Sequence, residues 1–152
     1  MNRKVSKDAP LMEITLRKFD KPYSSEYRDL LRRFCISIGL LQPGDSRDII
    51  VDILKIMLEN SRQKKFLTAN EINAIVIKER EKIGDLRGVA YSNVRRHLKR
   101  LKELKIVETI NEQYRIKEFL KLSEILNECI MPILLNPTLD RIKEYAEKID
   151  TL

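Results

Sequence analysis

The chain has 152 residues, enough for one domain with a substantial core or a small domain with appended helices. Thirty Lys and Arg stand against 23 Asp and Glu, a net charge of +7 that suits a polyanionic partner, nucleic acid first. Four Gly and five Pro argue against a loop-rich or all-β fold, and the lack of an apolar run of ~18 residues argues against a membrane helix.

Residues 1–10 are polar and basic, with Arg3, Lys4 and Lys7. They read as a flexible basic tail, with a phosphate-contacting arm as the alternative. No apolar segment follows them, so no signal peptide is expected. Residues 11–44 read as an N-terminal helical extension. Its helix is expected to begin near Ser24 or Ser25, after Pro22, with Tyr27, Leu30, Leu31, Phe34, Cys35 and Ile38 at helical spacing. Pro43-Gly44 is a turn.

Asp45 or Ser46 is the expected cap of the next helix, with Asp48 near its positive end. That helix, from Ile49 to Leu58, is apolar over a wide arc and should pack on several neighbours. Phe66-Leu67 is a short extended piece. Thr68-Ala69-Asn70-Glu71 is a capping box that opens a helix running to about Lys82. Residues 83–88 form the turn to the following helix, and it is longer than the usual three or four residues.

The helix over residues 90–104 is the most informative segment. At 100° per residue, Leu98, Leu101 and Lys105 fall within about 40° of Val94, and Val94, Leu98 and Leu101 make one apolar stripe. Ser92, Arg95, Arg96, Lys99 and Arg100 fall on the other side. Such a helix can dock on a core and still offer charge to phosphates. Val107–Ile110 and Gln113–Ile116 then alternate as two strands around Asn111-Glu112. Glu108 and Glu112 do not suit a hairpin laid along phosphates, and Arg115 and Lys117 partly offset them. Closing the core is the simpler role for this hairpin.

Residues 119–152 read as C-terminal helices. Phe119 to Met131 is strongly apolar, and Pro132 is expected to end or kink it. Asn136-Pro137 reads as a cap with Pro at the first helical position. Leu139, Ile142, Ala146 and Ile149 then form a two-heptad seam. With the N-terminal helix this seam could build a homodimer interface, or both helices could pack on their own core.

The segment from Gly88 to Val107 resembles the pattern of winged-helix regulators of the MarR, ArsR and related groups, archaeal-type regulators included. That pattern runs Gly, an aliphatic, Ser, any, Ser, Thr, Val, any, Arg, His, Leu, with a Leu-rich end closing in Gly-Leu-Val. Gly88, Val89, Ser92, Val94, Arg96, His97, Leu98, Leu101 and Val107 match. Ala90 stands where a capping Ser is usual, Asn93 replaces Thr, and Lys105 replaces the closing Gly.

The resemblance implies a mainly α fold with a small β-hairpin wing: a winged helix-turn-helix over residues 45–118, flanked by the N- and C-terminal helices. It implies a double-stranded DNA-binding protein, a transcriptional regulator whose helix 90–104 reads the major groove. Tyr91, Ser92, Asn93, Arg95 and Arg96 become the base-contact candidates. Thr68, Asn70, Lys99, Arg100, Lys102 and Arg115 become the phosphate candidates. The alternative is a winged-helix module for protein–protein contact within a larger nucleic-acid-processing assembly.

An enzyme is not expected. One His and two distant cysteines give no metal-ligand spacing, and no Walker loop, Rossmann glycine pattern or nucleophile motif occurs. His97 reads as a packing or phosphate-contact residue. No cofactor or metal is expected, and no effector ligand is legible. The cysteines, Cys35 and Cys129, sit in apolar surroundings and suit a reducing, cytoplasmic compartment.

Overall fold

A computed structural model describes residues 8–152. The expected basic tail with Arg3, Lys4 and Lys7 lies outside the described residues, apart from its last three positions. The fold is mainly helical, with a small three-stranded antiparallel sheet.

The first helix, α1, spans Tyr27–Ser37 and starts later than expected. Glu26 is its cap, accepting the amides of Arg28 at 3.3 Å and Asp29 at 2.7 Å. The Ser24 hydroxyl instead accepts the Glu26 amide at 3.2 Å, in the turn before the helix. Residues 8–25 are non-helical and cross the end of α1 as a strap. Arg17 secures the strap by donating to the Ile36 and Leu41 carbonyls at 3.0 and 3.3 Å. These are acceptors at and just beyond the helix end, where carbonyls lack partners.

Helix α2, Ile49–Ser61, is the centre of the fold, with Ile49, Ile50, Ile53, Leu54 and Met57 almost wholly buried. The expected cap is not there. Asp48 holds the cap position, but its side chain makes no capping bond. Asp45 accepts the Arg47 amide in the preceding turn, and Ser46 accepts from Arg87. The Asp48 carboxylate is taken by three arginines: Arg28 and Arg32 of α1, each at 3.0 Å, and Arg80 at 3.2 Å. Asp52, one turn on, binds Arg28 and Arg80 as well. Charge-assisted bonds of this kind outweigh a neutral cap.

Strand β1, Leu67–Thr68, leads into α3, Ala69–Ile83, through the expected capping box. Gly84 closes α3 in the left-handed region at φ +70°. The link to α4 is firmly held despite its length. Asp85 accepts the Arg87 amide at 3.1 Å, and Asn73 of α3 donates to the Val89 carbonyl at 2.8 Å.

Helix α4 spans Tyr91–Glu103 and buries Val94, Leu98 and Leu101 completely, as the apolar stripe predicts. Lys105 does not extend that stripe. It leaves the helix at φ +65°. The Ile106 amide reaches back to Leu101 and the Lys105 amide to Lys102, a Schellman ending closed by a residue with a side chain.

Strands β2, Val107–Ile110, and β3, Gln113–Ile116, pair in the register Val107 with Ile116 and Ile110 with Gln113. Asn111 and Glu112 both have positive φ, as a two-residue type I′ hairpin turn requires. β1 pairs on the other side of β3, so the sheet order is β1-β3-β2.

The C-terminal region is one continuous helical passage, not two helices parted at Pro132. α5, Leu122–Ile125, runs into a π-helical segment, Leu126–Leu135, and then into α6, Asn136–Asp150. In an α-helix the Pro132 ring would collide with the carbonyl four residues earlier. The wider π turn gives the ring room, and the bond that Pro132 cannot donate is left out. Asn136 is itself helical, at φ −60° and ψ −45°, so it is not a cap. Ile125, Cys129, Ile130 and Leu134 join the same buried cluster as α1, α2, α3 and α4.

Candidate nucleic-acid interface

Helix α4 carries five basic side chains and, at its far end, Glu103. No side chain caps its first turn, so its positive end is open. Helix geometry sorts the five cations. Arg95, Arg96 and Lys99 point outward and are exposed. Among the described residues none of the three is ion-paired. Lys102, also exposed, donates to the Thr109 hydroxyl of β2 at 3.0 Å.

Arg100 is different. It lies on the flank facing the α1–α2 loop, where its guanidinium donates to the Gly39 carbonyl at 2.8 Å. That bond ties α4 to the end of α1, so Arg100 does not join the outward cations. Gly39 sits at φ +79°, and a side chain there would strike the Thr15 carbonyl at 2.8 Å.

The five base-contact candidates divide in the same way. Tyr91, 40% exposed, lies under the Arg95 guanidinium, 5.8 Å from ring centre to carbon. Ser92 is exposed beside them. Asn93 is half-buried and committed at both ends of its amide. Its nitrogen donates to the Gly88 carbonyl at 2.7 Å, and its oxygen accepts from Arg96. Gly88 needs that support. Its φ is +82°, and a Cβ there would lie 3.1 Å from Ile49 and 3.2 Å from Asn93. Asn93 thus holds the loop before α4, a role that its replacement of the usual Thr did not suggest.

The phosphate candidates outside α4 are less available than the sequence suggests. The Thr68 hydroxyl accepts the Glu71 amide at 3.2 Å and donates to the Glu71 carboxylate at 3.0 Å. Asn70, next to it, is exposed. Arg115 is bound to Glu108 at 2.8 Å, with the Phe66 and Phe119 rings 5.2 and 4.9 Å from its guanidinium. Those rings meet edge to face at 5.4 Å. Arg115 therefore fastens the hairpin to the start of the C-terminal region.

Glu108 also accepts from Lys117 and from the Glu118 amide. Burial alone would push its carboxyl up, but the Glu118 amide, Arg115 and Lys117 together hold it below the usual range. The hairpin face is therefore close to neutral.

Two clefts flank the exposed cations. One, of about 560 Å³, lies between the starts of α3 and α4 and the hairpin, with Asn70, Tyr91, Arg95, Lys102 and Glu112 on its walls. The other, of about 460 Å³, runs along α4 past Ser92, Arg96 and Lys99. Tyr114 of β3 lines both. Sequence reading missed it, though its alternation with buried Ile116 puts it on the inward side of the hairpin, toward α4.

His97 is half-buried. Burial, then Arg100 and Arg96, push its pKa down to about 4, so the ring is neutral at pH 7 and carries no charge for a phosphate. Its Nδ1 is buried without a partner. Burial pushes the Cys35 thiol up to about 12, which keeps it protonated and unreactive. Cys35 and Cys129 are both unbridged and buried. Among the described residues no group of three or more His, Cys, Asp or Glu is placed to hold a metal ion. No helix among them is long and apolar enough to cross a membrane.

Comparison with family models, with curated proteins and with solved structures found no match to this chain.

Proposed function

We propose that this chain is a winged-helix protein that binds double-stranded DNA and regulates transcription, with α4 laid in the major groove. The supporting observation is the outer face of α4: Arg95, Arg96 and Lys99 exposed, without acidic partners among the described residues, beside an uncapped helix start. A protein that spends such charges on its own stability pairs them, as this chain does with Arg28, Arg80 and Arg115. The order helix, strand, helix, helix, hairpin also fits the resemblance of residues 88–107 to winged-helix regulators. In this reading Tyr91, Ser92, Arg95 and Arg96 reach base edges, Lys99 and Lys102 hold phosphates, and Asn93 positions the helix. No catalytic step is assigned.

A second reading, a protein-interaction module, is favoured by the neutralised hairpin, where Glu108 is bound by Arg115 and Lys117. The experiment that separates the two is anisotropy of the purified chain against a pool of genomic duplexes, with salt stepped and bound fragments sequenced. Enrichment of one motif, with affinity falling steeply as salt rises, supports DNA reading. Arg96→Ala should then cost about 1–3 kcal/mol on the enriched site, and Lys99→Ala should flatten the salt slope. Motif-free binding that ignores the combined loss of Arg95, Arg96 and Lys99 would overturn it.

A further inference from the structure

An apolar groove opens on a part of the surface to which α4 contributes nothing. It holds about 530 Å³ between the start of α1, the end of α2 and the entry to α5. Tyr27 and Leu31, one turn apart on α1, line it together with Leu58 of α2 and with Phe119, Leu120 and Leu122. None of these residues lines the two clefts beside α4.

The charge on its walls is of one sign. Arg62, Lys64 and Lys121 line the groove, all three exposed, and no Asp or Glu lines it. Among the described residues none of the three is ion-paired. The acids nearest to them along the chain are already engaged. Glu26 caps α1, Glu59 faces Lys55 at 4.0 Å, Glu118 faces Lys117 at 4.0 Å, and Glu124 accepts the Lys121 amide at 3.1 Å. Lys64 stands at φ +53°, a left-handed position that costs a lysine more than a glycine.

We infer that this groove docks a short amphipathic segment of a partner protein, with its apolar side chains on the leucines and its Asp or Glu side chains against Arg62, Lys64 and Lys121. Two observations select this occupant. The first is complementarity: an apolar floor inside a purely cationic rim calls for a partner both apolar and acidic. A nucleic acid brings the charge but finds no stacking platform, because Tyr27 lies under the Arg62 guanidinium at 5.8 Å and Phe119 meets Phe66 edge to face at 5.4 Å. The second is shape. The groove is open to solvent, so a small amphiphile would leave much of its apolar surface in water, whereas a peptide covers the opening with its own flanks. The inference does not rest on the DNA reading.

The test is anisotropy of a fluorescein-labelled synthetic peptide titrated with the full chain, without DNA. The probe carries Leu and Phe at helical spacing with Asp and Glu between them. One control replaces its acids with Lys, and another replaces its apolar residues with Ser. The probe should bind, and both controls should bind at least about tenfold more weakly. Arg62→Glu with Lys121→Glu should weaken the probe at least about tenfold, because like charges then meet. Tyr27→Ala should weaken it at least about fivefold. Lys64→Gly should weaken it about twofold to fivefold while the thermal midpoint holds or rises, which separates lost binding from lost folding. The joint Ala replacement of Arg95, Arg96 and Lys99 should leave the probe bound as before. No binding, equal binding of either control, or a loss confined to the α4 replacement overturns the inference. So does decanoate binding that Tyr27→Ala abolishes while the peptide fails to bind, which would make the occupant a small amphiphile.

Discussion

Arg80 and Asp48 meet in the interior, Nη1 to Oδ1 at 3.2 Å, with Arg80 only 2% exposed and Asp48 7%. The same guanidinium nitrogen reaches Asp52 at 3.2 Å, and Arg80 Nε donates to the Asp85 carbonyl, also at 3.2 Å. One side chain of α3 thereby joins α2 to the loop that leads into α4. Burial pushes both carboxylates up. For Asp48 the arginines, Arg28 first, win and hold it below the usual range, whereas for Asp52 burial wins and its pKa is raised.

Removing that arginine leaves two buried carboxylates short of a partner. Arg80→Leu should cost about 3 kcal/mol, the low end for a broken buried pair, because Arg28 and Arg32 remain on the cluster. Adding Asp52→Asn should recover part of the loss, since it removes the carboxylate that burial already disfavours. Urea unfolding at neutral pH measures both.

Lys105 takes a left-handed conformation that glycine adopts without steric cost. Lys105→Gly should therefore stabilise the chain by about 1 kcal/mol while keeping the Schellman bonds to Leu101 and Lys102. The thermal midpoint should rise. A fall would mean that the Lys105 side chain contributes more than its backbone costs.

His97 makes stability depend on mild acidity. Its folded pKa is about 4 and its ordinary value 6.5, so between those two the unfolded chain binds the extra proton. Stability from this group is present above pH 6.5, falls as pH drops through the window, and is fully lost below about 4. The loss should be about 1–2 kcal/mol, allowing for the water that still reaches the ring. Denaturant midpoints measured across that range should flatten in His97→Gln.

What the sequence determined is what neighbours along the chain decide. The Thr68–Glu71 capping box, the Val94, Leu98 and Leu101 stripe, the Asn111-Glu112 hairpin turn and the heptad spacing of α6 each depend on spacings of a few residues. Helix and strand periods make such spacings legible. The helix starts misjudged at Ser24, Ser25, Asp45 and Ser46 show the limit of that reading. A short polar residue suggests a cap, but which carboxylate caps and which pairs depends on the arginines around it. Only the tertiary structure decided the rest. Arg80 meets Asp48 and Asp52 across separations of 32 and 28 residues, and Arg100 finds Gly39 across 61. Sequence showed five similar cations on α4. Packing fixed which were spent on the fold and which were left facing water, because a side chain's partner is set by the elements folded against it.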